Sequence, residues 1–161
     1  MALGDNTLQA ARGNQNPGRN PYMVQTTLNW ATALSDKGSA LAAADVVPVI
    51  AVPKGTMVMN AGIEVATASD GSTFTVDLGM VDADVFVDGF DATSAAAVVA
   101  QNPAAYQPVM AVANDNIDVT IATLSGGAVT SGKFRVWAIL MDCTDMGNDG
   151  TAGEVDRDLL A

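Results

Sequence analysis

From Tyr22 onward the chain alternates between apolar and polar positions. Val24, Thr26, Leu28 and Trp30 fall on one side and Met23, Gln25, Thr27 and Asn29 on the other. That period of two belongs to a strand with one buried face, so a strand is predicted over 22–30. Ser35 to Ser39 reads as a turn, and Ala40 to Ala44 as a short apolar link. Asp45 to Val52 is again strand-like, with Pro48 marking either an edge strand or a bulge. Pro53-Lys54-Gly55-Thr56 turns the chain into a strand over 57–66. After Ser69-Asp70-Gly71-Ser72, residues 73–78 place Phe74, Val76 and Leu78 on one face, so these two strands are expected to form a hairpin. A short strand is permitted at 85–87, and 91–100, rich in Ala, fits a helical turn or a loop. Residues 109–112, 117–123 and 134–141 complete the set, the last two joined through Ser125-Gly126-Gly127 as a hairpin.

About seven or eight short strands separated by close-spaced turns define an all-β domain, a β-sandwich, jelly roll or small barrel. No amphipathic helix of ten or more residues separates the strands, which disfavours a parallel α/β fold. The expected core is Leu28, Trp30, Ile63, Val65, Phe74, Val76, Ile117, Val119, Phe134 and Val136.

The 161 residues suffice for one ordinary domain. Residues 22–143 form its body. Before it, residues 1–21 are rich in Gly, Asn and Gln with two Asn-Pro pairs, a composition that does not order itself alone. They are read as an extended arm, in which Leu8 to Ala11 permit one helical turn against a partner. Residues 144–161 are read as an acidic flexible tail.

Composition sharpens the picture. Apolar residues make up 49% but aromatics only 5%, so the core is built from many small side chains. The net charge of −11 disfavours binding to nucleic acid. That charge is uneven. Arg12, Arg19 and Lys37 cancel Asp5, Asp36 and Asp45, so the excess lies beyond Ala44 apart from Asp45 itself. No apolar run approaches the roughly 18 residues of a membrane span. The opening residues lack the basic and apolar regions of a signal peptide, so a protein made in the cytoplasm is expected.

Candidate chemistry is sparse. The absence of histidine removes His-based acid–base catalysis, Ser-His-Asp triads and most zinc sites, and no enzymatic activity is expected. Cys143 has no cysteine partner and reads as a strand-end thiol. The acidic stretch with Asp82, Asp84, Asp88 and Asp91 is the candidate for a hard cation such as calcium. An EF-hand loop starting at Asp84 would place Phe86 and Ala95 at ligand positions, so that motif fails, and a solvated acidic loop is the preferred reading. A glycosidase carboxylate pair lacks its aromatic sugar platforms. Trp30 and Trp137 read as core or interface residues, and the eight methionines as adaptable packing and contact surface. No cofactor is expected.

Several segments, taken in order, resemble a known family. Val49-Ile50-Ala51-Val52-Pro53-Lys54-Gly55-Thr56, Phe74-Thr75-Val76-Asp77-Leu78-Gly79, Ile117-Asp118-Val119-Thr120 and Gly132-Lys133-Phe134-Arg135-Val136 are similar to the strands and turns of small capsid decoration (cement) proteins of tailed bacteriophages. The resemblance spans roughly residues 22–142. It implies a virion structural protein on the outer surface of the capsid, binding the phage major capsid protein and bridging neighbouring subunits. It implies no catalytic residue.

In that setting Arg12 and Arg19 are expected to make charge-assisted contacts and Leu3 and Leu8 apolar ones, with Tyr22 a further contact to capsid or subunit. Self-association is also expected, a trimer ahead of a dimer, because short Val-, Ala- and Met-rich sheets leave apolar edges to cover. The competing reading is a carbohydrate-binding, head-fibre or tail-associated β-sandwich adhesion module.

Overall fold

The computed structural model describes residues 9–10, 20–94, 99–100 and 108–143. These form β1 (Gln9–Ala10), β2 (Tyr22–Asn29), α1 (Trp30–Lys37), β3 (Val46–Val52), β4 (Thr56–Thr67), β5 (Thr73–Gly79), β6 (Val87–Asp91), β7 (Val99–Ala100), β8 (Val109–Met110), β9 (Asp115–Ser125) and β10 (Lys133–Asp142). The first sheet runs β1-β3-β9-β5-β6, and the second runs β2-β10-β4-β7 with β8 also on β4. Only the β1–β3 ladder is parallel among the described pairs. The architecture is an all-β, two-sheet sandwich.

The core follows the alternation. All ten residues expected in it are at most 1% exposed. They meet around an aromatic cluster: Trp30 packs edge-on to Phe74 at 4.9 Å and to Phe134 at 5.5 Å, and Phe90 reaches Phe134 at 6.4 Å. Phe74 belongs to the first sheet and Phe134 to the second, so Trp30 ties the layers together.

Trp30 does so from a helix, where the sequence predicted a strand end and a turn. Asn29 caps α1, its side-chain oxygen accepting from the Ala31 N–H at 3.1 Å. Gly38 closes it in the left-handed region, φ 67°, donating its N–H to Leu34 and Ser35 carbonyls. Trp30 and Ala33, three residues apart, form the buried face.

Two expected hairpins do not form. β4 and β5 lie in different sheets, and so do β9 and β10. In a sandwich, consecutive strands with one apolar face each bury it equally well by facing one another across the core, and periodicity does not distinguish this from pairing. The two crossing loops are stitched together instead. Asp70 accepts from the Thr130 N–H, the Ser131 N–H and the Thr130 hydroxyl at 2.9, 3.0 and 2.5 Å, and the Ser72 hydroxyl donates to the Gly126 carbonyl at 3.1 Å. These bonds hold the Asp70 carboxyl far below the usual carboxylate range, the Thr130 hydroxyl contributing most.

Pro48 stands next to a register shift in the β3–β9 ladder, between Pro48 and Ile50, in agreement with the expected bulge. Of the segment read as an arm, Gln9 and Ala10 form a short strand beside Ile50 and Ala51, where the sequence permitted a helical turn. Residues 144–161, read as the tail, lie outside the described residues.

Candidate interaction surfaces

The two outer faces of the sandwich differ in chemistry, and strand pairing shows how. On the second sheet, β10 sits between β2 and β4, so the outward residues line up in rows. One row is Thr27, Arg135 and Glu64, with Arg135 donating to Glu64 at 2.6 Å. The next is Gln25, Trp137 and Gly62, then Met23, Ile139 and Asn60. The last is Met141, Met57 and Met110, the third from β8. Met59 enters at the register shift between Ile139 and Leu140. Five of the eight methionines therefore lie on this face, with Ile139 and Trp137 among them. Four strands at about 4.8 Å spacing make the band about 14 Å across.

Met23 and Met110, at its two ends, are 61% and 43% exposed. Asn60, in the middle of the band, has a solvent-shielded Oδ1 with no hydrogen-bond partner among the described residues. Leaving such an acceptor unfilled costs roughly 1–3 kcal/mol. Methionine adapts its shape to whatever lies against it, a property that suits contact surfaces.

The first sheet presents carboxylates instead. Asp77 and Asp118 point outward from β5 and β9, between buried neighbours. Burial pushes the Asp77 carboxyl up, with Asp88 and Asp84 adding to the rise, while the Gly89 N–H donating at 2.7 Å opposes it. Asp118 is pushed up to about 6, by burial first and by Asp115 second. The register explains the desolvation. Asp118 stands between Pro48, which has no N–H, and Gly79, which has no side chain. The loop after Gly79 folds back so tightly that a Cβ there would lie 1.9 Å from the Asp82 carbonyl oxygen. Asp118 is thus crowded by groups that offer its Oδ1 no donor.

The acidic stretch is opened out. Asp82, Asp84, Asp88 and Asp91 are all exposed, and Asp91 accepts from the Thr93 N–H at 2.9 Å and the Thr93 hydroxyl at 2.7 Å. Among the described residues no group of three or more Asp, Glu or Cys side chains is arranged to hold a metal ion. Asp91 serves its own turn.

Of the expected contact residues, Leu3, Leu8, Arg12 and Arg19 lie outside the described residues. Tyr22 opens β2 half-buried against the core, and burial, then Asp142, pushes its phenol up. Cys143 follows β10 directly, half-buried, its N–H bonded to the Gly55 carbonyl at 2.9 Å. Trp30 is fully buried, whereas Trp137 lies on the outer face. No helix among the described residues is long and apolar enough to cross a membrane.

The continuous methionine face was not identified from sequence, although a trace of it is present there. Residues 136–141 are apolar without interruption, which breaks alternation and indicates a strand with apolar groups on both faces.

A two-sheet sandwich with one acidic and one methionine-rich face is the class that these observations define. No protein-family profile matches the sequence. No curated protein matches it either. Among solved structures, the chain is similar to one in the capsid asymmetric unit of cyanophage Pam1, with 15% identity over 81% of this chain and 91% of that one and a TM-score of 0.58. It is also similar to one in the capsid of Ralstonia phage GP4, with 14% identity over 83% of this chain and 90% of that one and a TM-score of 0.55. At these identities the likeness is one of fold.

Proposed function

We propose that this chain is a structural protein of a tailed-bacteriophage virion, which binds the outer surface of the capsid and cements neighbouring major capsid subunits. The observation that carries this reading is the near-complete overlap with chains in two phage capsid structures. Nine-tenths or more of each of those chains is covered, so the likeness concerns whole small proteins and not one domain of a large one. The sequence resemblance to decoration proteins points the same way.

The physical chemistry supports it. A shell filled with packaged DNA gains from clamps across subunit boundaries, and many repeated modest contacts give avidity without one large interface. In this reading residues 1–21 follow a neighbour's surface, with Arg12 and Arg19 on shell carboxylates and Leu3 and Leu8 in apolar grooves. The chain takes no catalytic step. Its acidic first sheet faces solvent, where like charges keep particles apart.

Co-sedimentation tests the proposal. Purified full-length chain mixed with capsids lacking it is expected to pellet saturably with intact particles and to be accessible there to externally added antibody. Failure to pellet, or pelleting only with tail or fibre fractions, would overturn the cementing role.

A further inference from the structure

The exposed apolar side chains of the sandwich gather at one end of it. Among the described residues four large hydrophobics are exposed, Met23 at 61%, Val81 at 79%, Met110 at 43% and Val112 at 77%. Strand register places them together. The turn 53–55 joins the end of β3 to the start of β4, Val52 pairs with Asp115 at the start of β9, and Gly79 at the end of β5 pairs with Asp118. On the second sheet Met57 pairs with both Met110 and Met141, and Tyr22 pairs with Leu140. Val81 therefore follows β5, Val112 precedes β9, and Met23 and Met110 stand near the tips of β2 and β8, all at this end. The opposite end, with the loops 68–72 and 126–132, carries no exposed large hydrophobic among the described residues. Scattered single valines are ordinary on a protein surface, but four apolar groups at one end and none at the other are a patch.

From this asymmetry we infer that the chain stands on the shell by this end, with Val81 and Val112 entering apolar hollows of the major capsid protein that are rimmed by basic side chains. The inference rests on the capsid reading and adds to it which surface makes the contact. Both tips are held in place before any contact. The Ala111 N–H donates to the Thr56 carbonyl at 2.9 Å, the Gly55 N–H to the Ala111 carbonyl at 2.8 Å and the Lys54 N–H to the Asn114 side chain at 3.0 Å, which fixes the loop that carries Val112. The Phe86 N–H donates to the Leu78 carbonyl at 2.9 Å and its ring is fully buried, which pins the loop that carries Val81. Loops fixed in advance lose little conformational freedom on binding. Exposed Asp82, Asp84 and Asp142 against Lys54 leave this end negative, so the complementary surface is basic. The chain outside the body also sets out from here. Tyr22 and Cys143 both lie at this end, and Gln9 and Ala10 lie beside Ile50 and Ala51, close to the end of β3. A leader that starts at the seat reaches a neighbouring subunit directly, whereas from the far end it would first run the length of β10, about 33 Å.

Binding of the full chain to capsids lacking it, measured by co-sedimentation over a concentration series, tests the seat. Val81→Asp and Val112→Asp change side chains already in water, so both variants should stay folded by circular dichroism while binding weakens by about a hundredfold, as an unpaired carboxylate is buried. Ala128→Glu, exposed on the loop at the opposite end, should bind as the unaltered chain does. Peroxide should oxidise Met110 in the free chain and spare it on particles. Rising salt should weaken the contact. If the unaltered chain does not pellet, the capsid reading itself fails and the inference with it. If it pellets, the capsid reading stands, and any one of three results then overturns the seat: Val81→Asp and Val112→Asp variants that pellet equally well, loss of binding in Ala128→Glu, or Met110 oxidised as fast on particles as off them. Binding indifferent to salt would overturn its basic rim.

Discussion

Replacing Asp118 with Asn is expected to stabilise the protein at neutral pH and to leave it nearly unchanged at pH 4. The carboxyl is raised from 3.8 to about 6 because Pro48, Gly79 and the loop folded over Gly79 crowd it without offering a donor. A carboxyl raised on folding holds its proton more tightly in the native chain than in the unfolded one. Stability is therefore full below pH 3.8 and falls as pH rises through about 6. The full shift corresponds to an upper bound of about 3 kcal/mol. Asp118 is only half-buried, and solvent screening reduces this to about 1–2 kcal/mol at pH 7. Asp77 is also raised and titrates in the same direction, so the difference between wild type and variant is the informative quantity. Urea unfolding at constant ionic strength, followed at pH 4, 5, 6 and 7, measures it. The two proteins should coincide at pH 4 and diverge between pH 4 and 6, with the variant more stable above. A difference independent of pH, or a variant destabilised at pH 7, would refute the desolvation argument.

Phe74→Ala should cost about 3–4 kcal/mol, because the side chain is 1% exposed and its loss leaves Trp30 without an edge-on partner; an unchanged unfolding midpoint would contradict this. Gly132 has φ +127°, and a Cβ there would come within 2.9 Å of the Ser69 Cα and 3.1 Å of the Trp30 Cδ1. Gly132→Ala should therefore cost roughly 2 kcal/mol or more, seen as a lowered Tm with unchanged far-ultraviolet circular dichroism. Deleting residues 1–21 removes the two-residue β1 edge but should leave the sandwich folded, while attachment to capsids weakens by more than about tenfold, or about 1.4 kcal/mol. Equal capsid binding by the truncated chain would contradict the role given to Leu3, Leu8, Arg12 and Arg19.

The inward face of each strand was legible because period-two alternation reports burial directly. Phe74, Val76, Ile117, Val119, Phe134 and Val136 are all buried in the sandwich. Which strands pair was less legible. The loops at 68–72 and 126–132 carry ordinary turn residues, yet each crosses between sheets, and Asp70 joins one loop to the other across 60 residues of sequence. The eight-residue helix was hidden because Trp30 continues the β2 alternation, and only the caps Asn29 and Gly38 announce it. Of the surfaces, the acidic one was visible as composition. The methionine face was not, since Met23, Met57, Met110 and Met141 are far apart in sequence and meet only through ladder register. Nor does Ile117-Asp118-Val119 show that Asp118 is crowded, because its neighbours Pro48 and Gly79 come from other strands.

We propose that this sandwich sits on the outside of a phage shell and bridges its subunits. An electron cryomicroscopy reconstruction of the virion that carries the chain tests it most directly. Sandwich-shaped density is expected outside the continuous shell, spanning the boundary between adjacent major capsid subunits, with residues 1–21 traceable along a neighbour. Density for the chain inside the shell, confined to the tail, or absent from the particle would contradict it.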